Sequence, residues 1–589
     1  MDIISRIMAM APKITYTKNE AIAWAAPNYW DILVLCLIIG AIILLVWSAK
    51  QMTIPYDLGQ VIPISLDPKH LPLYAARTVL RMFIALLCAL IFTFIFGAMA
   101  AKSKRAERII IPIIDIMQSL PVLSFLSITV PTFIAIFRGS MLGPECAAIF
   151  AIFTSQVWNI TLSFYQSVST IPKDLREVAK VFKLSTWRRF WRIEVPFAMP
   201  GLLWNMMMSM SGSWFFVTAS EAISVANQKI TLPGMGSYIA LAIDHADKTA
   251  IIYAILTMFL VIIVYDQFLF RPLVYWVEKF KFEQVLDVKP SRSWVINIFQ
   301  RTKLLRQSGR IISFISDVII NLRILNPKTN YFAPPQANKS LQKSLIIFAN
   351  IFIYGAIFMA IATIGYFLLH YVNFNDIRHA LWLGLLTGIR VMLLIVLCSF
   401  IWVPIGVWIG LKPRVAEVAQ PIVQFFAAFP ANLLFPIVTV LILKYKLNVN
   451  IWVSPLMVLG TQWYILFNVI AGASNLPEDL RLVAKNFGVK GWLWWKRLVL
   501  PGIFPGFITG AITAAGGAWN ASIVAEVITW GETKLPATGL GSYITHYSNL
   551  GDFSHVALGT IIMSFYVLAV NRLVWRPLYN ITIEKFKAD

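Results

Sequence analysis

Arg81, Glu221, Arg390 and Glu526 are charged residues that stand inside long apolar runs. Charge at membrane depth is costly unless it is paired, so each marks a position with a task. Glu221 and Glu526 fall near the outer ends of their runs and suit an ion pair with arginine or the cap of a short helix. Arg81 and Arg390 sit a turn or two inside the outer boundary. Either they snorkel outward or they form a positive vestibule that attracts anions. The amides Gln156, Gln462 and Asn159, with Asn205 and Asn520, suit a pathway lining or hydrogen bonds between helices. Trp214 and Trp519 suit a gate or core packing. Covalent chemistry has no such candidates. His70, His245, His370, His379, His546 and His555 show no zinc-ligand spacing, and the four cysteines are scattered. No catalytic residue and no metal site are predicted. There is no Gly-x-x-x-x-Gly-Lys-Ser/Thr phosphate loop, so the chain carries no ATPase site of its own.

The elements that hold these residues are membrane helices. Of 589 residues 58% are apolar and 13% charged, about half the charge of a soluble chain. Apolar runs of roughly twenty residues match a hydrocarbon core of about 30 Å. They predict twelve spans, at 30–48, 74–100, 109–137, 145–168, 197–222, 249–270, 343–370, 380–411, 416–443, 451–471, 502–527 and 553–575. Pro112, Pro121, Pro404, Pro421 and Pro430 predict kinks. The first span lacks a small-residue cleavage pattern and reads as uncleaved. The net charge of +22 concentrates in alternate loops. Lys102, Lys104, Arg105 and Arg108 follow the second span; Lys173, Arg176, Lys180, Lys183, Arg188, Arg189 and Arg192 follow the fourth. Loops 49–73 and 223–248 hold two lysines each. That asymmetry predicts cytoplasmic termini and argues against nucleic acid as a partner.

The chain repeats itself. Arg81 matches Arg390, Pro121 matches Pro430, Gln156 matches Gln462, Gly212-x-Trp214 matches Gly517-x-Trp519, and Glu221 matches Glu526. Six spans per half in one orientation imply a pseudo-two-fold axis along the membrane normal. The expected fold is an all-α membrane protein of about twelve transmembrane helices in two parallel six-helix repeats. Its first half is 1–280, with a polar loop at 172–196; its second is 343–589, with the matching loop at 477–501. The cytoplasmic basic linker 281–342 joins them. Trp294 to Leu325 in that linker mixes apolar and basic residues, which suits either helices lying on the inner leaflet against anionic lipids or a plain solvated connection.

The two polar loops are the most specific signal. In the first, Pro172 opens a short helix with Asp174 and Glu177 toward its start and Lys180 and Lys183 toward its end, complementing the helix dipole. A second short helix, about 185–193, is expected to stop at Pro196. Small Ala179 would allow another surface to approach. Glu177-Val-Ala179, Lys183, then Ile193-x-Val195-Pro196 resembles the cytoplasmic "EAA" loop of importer-type ABC transporter permeases. That loop reads Glu-Ala-Ala, three residues, Gly, nine residues, Ile-x-Leu-Pro. The second copy reads Leu482-Val-Ala484, Gly488, Leu498-x-Leu500-Pro501. Each copy departs once. Lys183 replaces the turn glycine, which would cost about 1 kcal/mol or force another turn. Leu482 replaces the glutamate and removes an ion pair with a partner.

Beyond the loops, Gly517-Ala-Trp519, Ile523-Val-Ala525-Glu526 and Gly539-Leu-Gly541-Ser-Tyr-Ile544 are similar to the nitrate, taurine/alkanesulfonate and bicarbonate branch of these permeases. Gly212-Ser-Trp214, Glu221 and Gly234-Met-Gly236 repeat the pattern. The resemblance implies a fold like that of type I ABC importers, with two permease halves fused. It implies two copies of a cytoplasmic ABC ATPase, which carry the ATP and Mg, a periplasmic solute-binding protein, and a multi-pass place in a bacterial inner membrane. Glu177, Ala179, Lys183, Leu482, Ala484 and Gly488 would couple to the ATPase. Fused permeases for ferric iron or thiamine are the alternative. A secondary transporter is disfavoured by the parallel repeats and by the lack of an ion-coupling carboxylate pair at any span centre.

Overall fold

The computed structural model describes residues 62–278 and 370–578 except 120, 226–227, 475 and 532, with isolated positions at 39–55 and 355–367. The expected spans 30–48 and 343–370, and the linker helices, lie wholly or largely outside the described residues. Within them the chain is helical apart from two small hairpins.

In the first half α1 runs over Pro68–Lys102, followed by α2 (Lys104–Ser119), α3 (Val122–Ile136), α4 (Leu142–Ser169) and the short α5 (Lys173–Val181). Helix α6 covers 186–221 and ends at a hairpin of β1 (Ala222–Val225) and β2 (Gln228–Thr231). Then come α7 (Met235–Asp244) and α8 (Lys248–Val277). The second half repeats the order: α9 (Phe374–Gly410), α10 (Pro413–Ala428), α11 (Phe435–Tyr445), α12 (Val449–Leu459), α13 (Gln462–Ser474), α14 (Glu478–Asn486) and α15 (Gly491–Ala525). The hairpin of β3 (Val527–Trp530) and β4 (Thr533–Pro536), α16 (Leu540–Leu550) and α17 (Phe553–Leu578) complete it. Among the described residues six helices are long and apolar enough to cross a membrane, or eight if each bent pair is one span. Helices suit hydrocarbon because every backbone donor is satisfied inside the element.

The central helix of each half is its fourth expected span. Helix α4 packs along α6 and α1, and α13 packs along α15 and α9. Even small devices recur: Asp247 caps α8 through the amides of Thr249 and Ala250, and Asp552 caps α17 through Ser554 and His555.

Three expectations are corrected. The runs 109–137 and 416–443 are not single kinked spans; each is broken at Pro121 or Pro430, whose extended backbone ends one helix and starts another. The run 451–471 bends by 44° between α12 and α13. Pro196 does not stop a helix. Phe190–Glu194 forms one π-helical turn in which the Val195 amide bonds Phe190 O, and the chain continues helically to Glu221. The wider turn shifts the hydrogen-bond register just before the proline, relieving the ring–carbonyl clash. Trp495–Val499 repeats this before Pro501.

The halves exchange contacts at their broken helices. Asn520 Oδ1 in α15 accepts the Val122 amide of α3 at 2.6 Å. In return Asn432, beside the Pro430 break, donates Nδ2–H to Thr218 Oγ1 of α6 at 2.8 Å. Each broken helix thus docks on the sixth- or fifteenth-helix rod of the opposite half.

Candidate functional site

Each half carries two polar constructions at opposite ends of its long rod. The first is the loop before α6 or α15. Helix α5 exposes Glu177 and buries Ala179, and α14 exposes Leu482 and buries Ala484. The small alanine therefore permits close packing within this chain rather than against a partner. At the end of each short helix the chain makes one left-handed turn. Lys183 has φ 47° and Gly488 has φ 62°. The Leu184 amide bonds Ala179 O at 3.0 Å, and Val489 bonds Ala484 O at 2.9 Å. Lys183 thus keeps the glycine turn instead of forcing another. Around Leu482 the surface shows Leu480, Val483, Phe487 and Trp492 at least half or nearly half exposed, beside exposed Glu478, Asp479 and Lys485. The first loop shows Val181 and Phe182 among basic residues.

At the far end lies a buried ion cluster. Arg81 is completely buried and donates from Nη2 to Glu145 Oε1 at 2.7 Å and from Nη1 to Glu221 Oε1 at 2.6 Å. Its Nη2 also reaches Pro233 O at 3.0 Å. Thr78 Oγ1–H donates to Glu221 at 2.7 Å, and the Gly236 amide donates to Glu221 Oε2 at 2.6 Å. The second half has a looser version. Arg390 lies 3.4 Å from Glu526, Thr387 donates to that carboxylate at 2.8 Å, and the Ser542 amide at 3.1 Å. Arg390 turns its other amino group to Asn450 Oδ1 at 3.2 Å. These clusters tie α1 and α9 to the segments that return after the hairpins. Arg81 neither snorkels nor lines a vestibule, because two carboxylates hold it inside. The glycines here serve close approach: a Cβ on Gly234 or Gly539 would fall 2.4 or 2.2 Å from the Glu221 or Glu526 carboxylate.

The other membrane-depth candidates are dispersed. Gln156 is fully buried, its amide against Met210 Sδ at 3.0 Å. Asn159 donates to Ser209 at 3.0 Å, and Asn205 to Ser163 at 2.8 Å. Gln462 accepts the Trp402 indole N–H at 3.0 Å. All are bonds between helices. Trp214 and Trp519 are 1% and 2% exposed and pack in the cores of their halves, Trp519 against Gly388. Between the halves Trp204 stacks on Phe467 at 4.8 Å. A cavity of only about 10 Å³ lies there, lined by residues including Met207, Ser211, Gln424 and Tyr464. Its lining is mostly apolar. Among the described residues no cluster of His, Cys, Asp or Glu could hold a metal.

Sequence reasoning missed Glu145 and Asn450. Glu145 is matched in the second half by Ile451, so the repeat that pointed to Arg81 and Glu221 gave no signal for it.

The description "Binding-protein-dependent transport system inner membrane component" matches twice, over residues 93–271 and 402–575. Among curated relatives, the nitrate import permease protein NrtB of Synechocystis sp. is 25% identical over 244 residues, 39% of this chain and 84% of its own. The bicarbonate transport system permease protein CmpB of Synechococcus elongatus is 24% identical over 178 residues, 30% of this chain and 61% of its own. The glycine betaine/proline betaine transport system permease protein ProW of Escherichia coli is 26% identical over 163 residues, 28% of this chain and 44% of its own. The match thus spans less than two thirds of the last two relatives. With both halves matched and apolar helices throughout, the chain belongs to the binding-protein-dependent transport system inner membrane component family, as a multi-pass permease with two family units in one polypeptide.

Proposed function

We propose that the chain is the fused transmembrane subunit of an ATP-driven importer for a small anion of the nitrate, bicarbonate or sulfonate kind. Two copies of a cytoplasmic ATPase dock on the loops 172–196 and 477–501, both termini face the cytoplasm, and a periplasmic binding protein delivers solute at the hairpin end. One observation carries the coupling: each docking loop leads without interruption into a rod ending at Glu221 or beside Glu526. Such a rod transmits movement of a docked ATPase across the membrane thickness. Transport follows only if ATP binds the inward- and outward-open states with different free energies. The anion assignment rests on the names of the relatives and on the Gly-x-Trp and Gly-x-Gly-Ser-Tyr segments. Arg81 no longer supports it, since its charge is neutralised by Glu145 and Glu221.

The test is reconstitution with the ATPase and binding protein. ATP hydrolysis should rise with nitrate, bicarbonate or taurine on the binding-protein side. Stimulation by ferric iron, thiamine or a betaine alone would overturn the anion assignment. Gradient-driven uptake without the ATPase would overturn the importer itself.

A further inference from the structure

A cavity of about 160 Å³ lies behind the first coupling helix, walled by Ala179 and Arg176 of α5, Lys102 at the end of α1, and Arg189, Ile193 and Glu194 of α6. It is as large as cavities that admit benzene-sized guests, about 150 Å³. Glu194 is 5% exposed. Lys102 Nζ lies 2.7 Å from one of its oxygens and Arg189 Nε 2.8 Å from the other. Arg176 donates to Ser169 O at 3.1 Å and remains exposed at the rim. Three cations face one carboxylate, leaving an excess of positive charge.

The second half shows that the fold does not need this charge. At the positions of Lys102, Arg189 and Glu194 it carries Leu411, Trp494 and Val499, and Val499 is fully buried. Only Arg481 keeps its counterpart, Arg176. The short helix, the left-handed turn and the π-helical elbow form equally well on that apolar base. Burying ions where hydrophobic packing suffices carries a desolvation cost, so the charged version has a purpose other than holding the loop.

We infer that this cavity is a binding site for a phosphate-type oxyanion, either the head group of an anionic lipid of the adjoining leaflet or the free ion. Guanidinium groups present paired N–H donors that match oxyanion geometry. Arg176 and Arg189 approach from the coupling helix and from the rod, with Lys102 adding charge from α1. Glu194 is held by Lys102 and Arg189, so it orients these donors while the excess charge is left for the ligand. An occupant would brace the first coupling helix against α1 and α6, and the second coupling helix has no matching site.

The test uses the full chain in nanodiscs. In phosphatidylcholine alone, inorganic phosphate is titrated while unfolding is followed by tryptophan fluorescence. In discs containing phosphatidylglycerol, retained lipid is identified by native mass spectrometry. A saturable rise in Tm with phosphate is expected for a free ion; selective phosphatidylglycerol retention without that rise identifies the head group. Arg176→Gln, and independently Lys102→Gln, should weaken the response about tenfold. Arg481→Gln, in the second loop, should leave it unchanged. No saturable response in either arm, a response that survives both first-half variants, or one lost equally in Arg481→Gln would overturn the site.

Discussion

Lys183 and Gly488 close the same turn, at φ 47° and 62°, with the same pair of backbone hydrogen bonds behind them. One is an L side chain held in the left-handed region and the other is the residue that enters it freely. The two loops therefore share one backbone shape although their sequences differ at the position that sets it.

Swapping those residues should have nearly mirror-image effects. A Cβ on Gly488 would meet nothing within 4 Å, so Gly488→Lys costs only the backbone term, about 1 kcal/mol. Lys183→Gly relieves that term but adds freedom to the unfolded chain, for a gain of about 0.5 kcal/mol or less. Thermal unfolding of the purified permease checks both. Collapse of Gly488→Lys would mean the turn is constrained by more than φ.

Glu177 and Leu482 hold matching exposed positions, and their truncations should differ in kind. If the ATPase docks here as proposed, removing Glu177 would delete a charge-assisted hydrogen bond to it, about 1.5–3 kcal/mol where desolvated. Leu482 sits in an apolar patch with Leu480, Val483 and Phe487, whose remaining members keep much of the contact. Glu177→Ala should therefore lower ATPase affinity and transport per ATP more than Leu482→Ala. Equal losses would show that the partner reads both loops alike.

The ion clusters give a third asymmetry. Arg81→Met takes the cation from Glu221 and leaves Glu145 only Arg77 at 3.9 Å in a fully buried site, which should cost about 3–5 kcal/mol. Arg390→Met strands only Glu526, which keeps Thr387 and the Ser542 amide; about 1–2 kcal/mol is expected. Unfolding midpoints of the two variants decide it, and a larger loss for Arg390→Met would contradict the geometry.

Much of this architecture was legible because a duplicated chain states its constraints twice. The constant spacing of Arg81 to Arg390 and Pro121 to Pro430 exposed the halves, and Glu177-Val-Ala179 with Leu482-Val-Ala484 exposed the paired short-helix loops. What stayed hidden depends on a third dimension. Pro121 and Pro430 read as kinks, but whether a proline bends or breaks a helix depends on what the neighbouring segment bonds to: Asn520 takes the freed Val122 amide, and the Asn432 side chain is tied to Thr218. Pro196 read as a stop because a π-helical turn leaves no mark in composition. Arg81 read as facing an outer mouth because its second carboxylate, Glu145, has no repeated counterpart. Ala179 read as a partner contact, since periodicity over one short helix does not say which neighbour its small face meets.

The seam between the halves has a reciprocal test. Gly212 of α6 is so close to α13 of the opposite half that a Cβ there would lie 2.6 Å from Tyr464 Oη. Its counterpart Gly517 would instead meet Thr461 Cγ2 at 2.4 Å, within its own half. Gly212→Ala should overpack the seam by about 1–3 kcal/mol. Tyr464→Phe removes the atom in the way and should be mild alone. Combined, the two should recover most of the lost stability, a coupling of about 0.5–3 kcal/mol for residues in contact. Tyr464→Phe should give no relief to Gly517→Ala, whose clash lies elsewhere. Because only Gly212 spans the seam, transport should fall with Gly212→Ala and return in the double variant. Additive losses would show that Gly212 and Tyr464 do not meet in the folded protein.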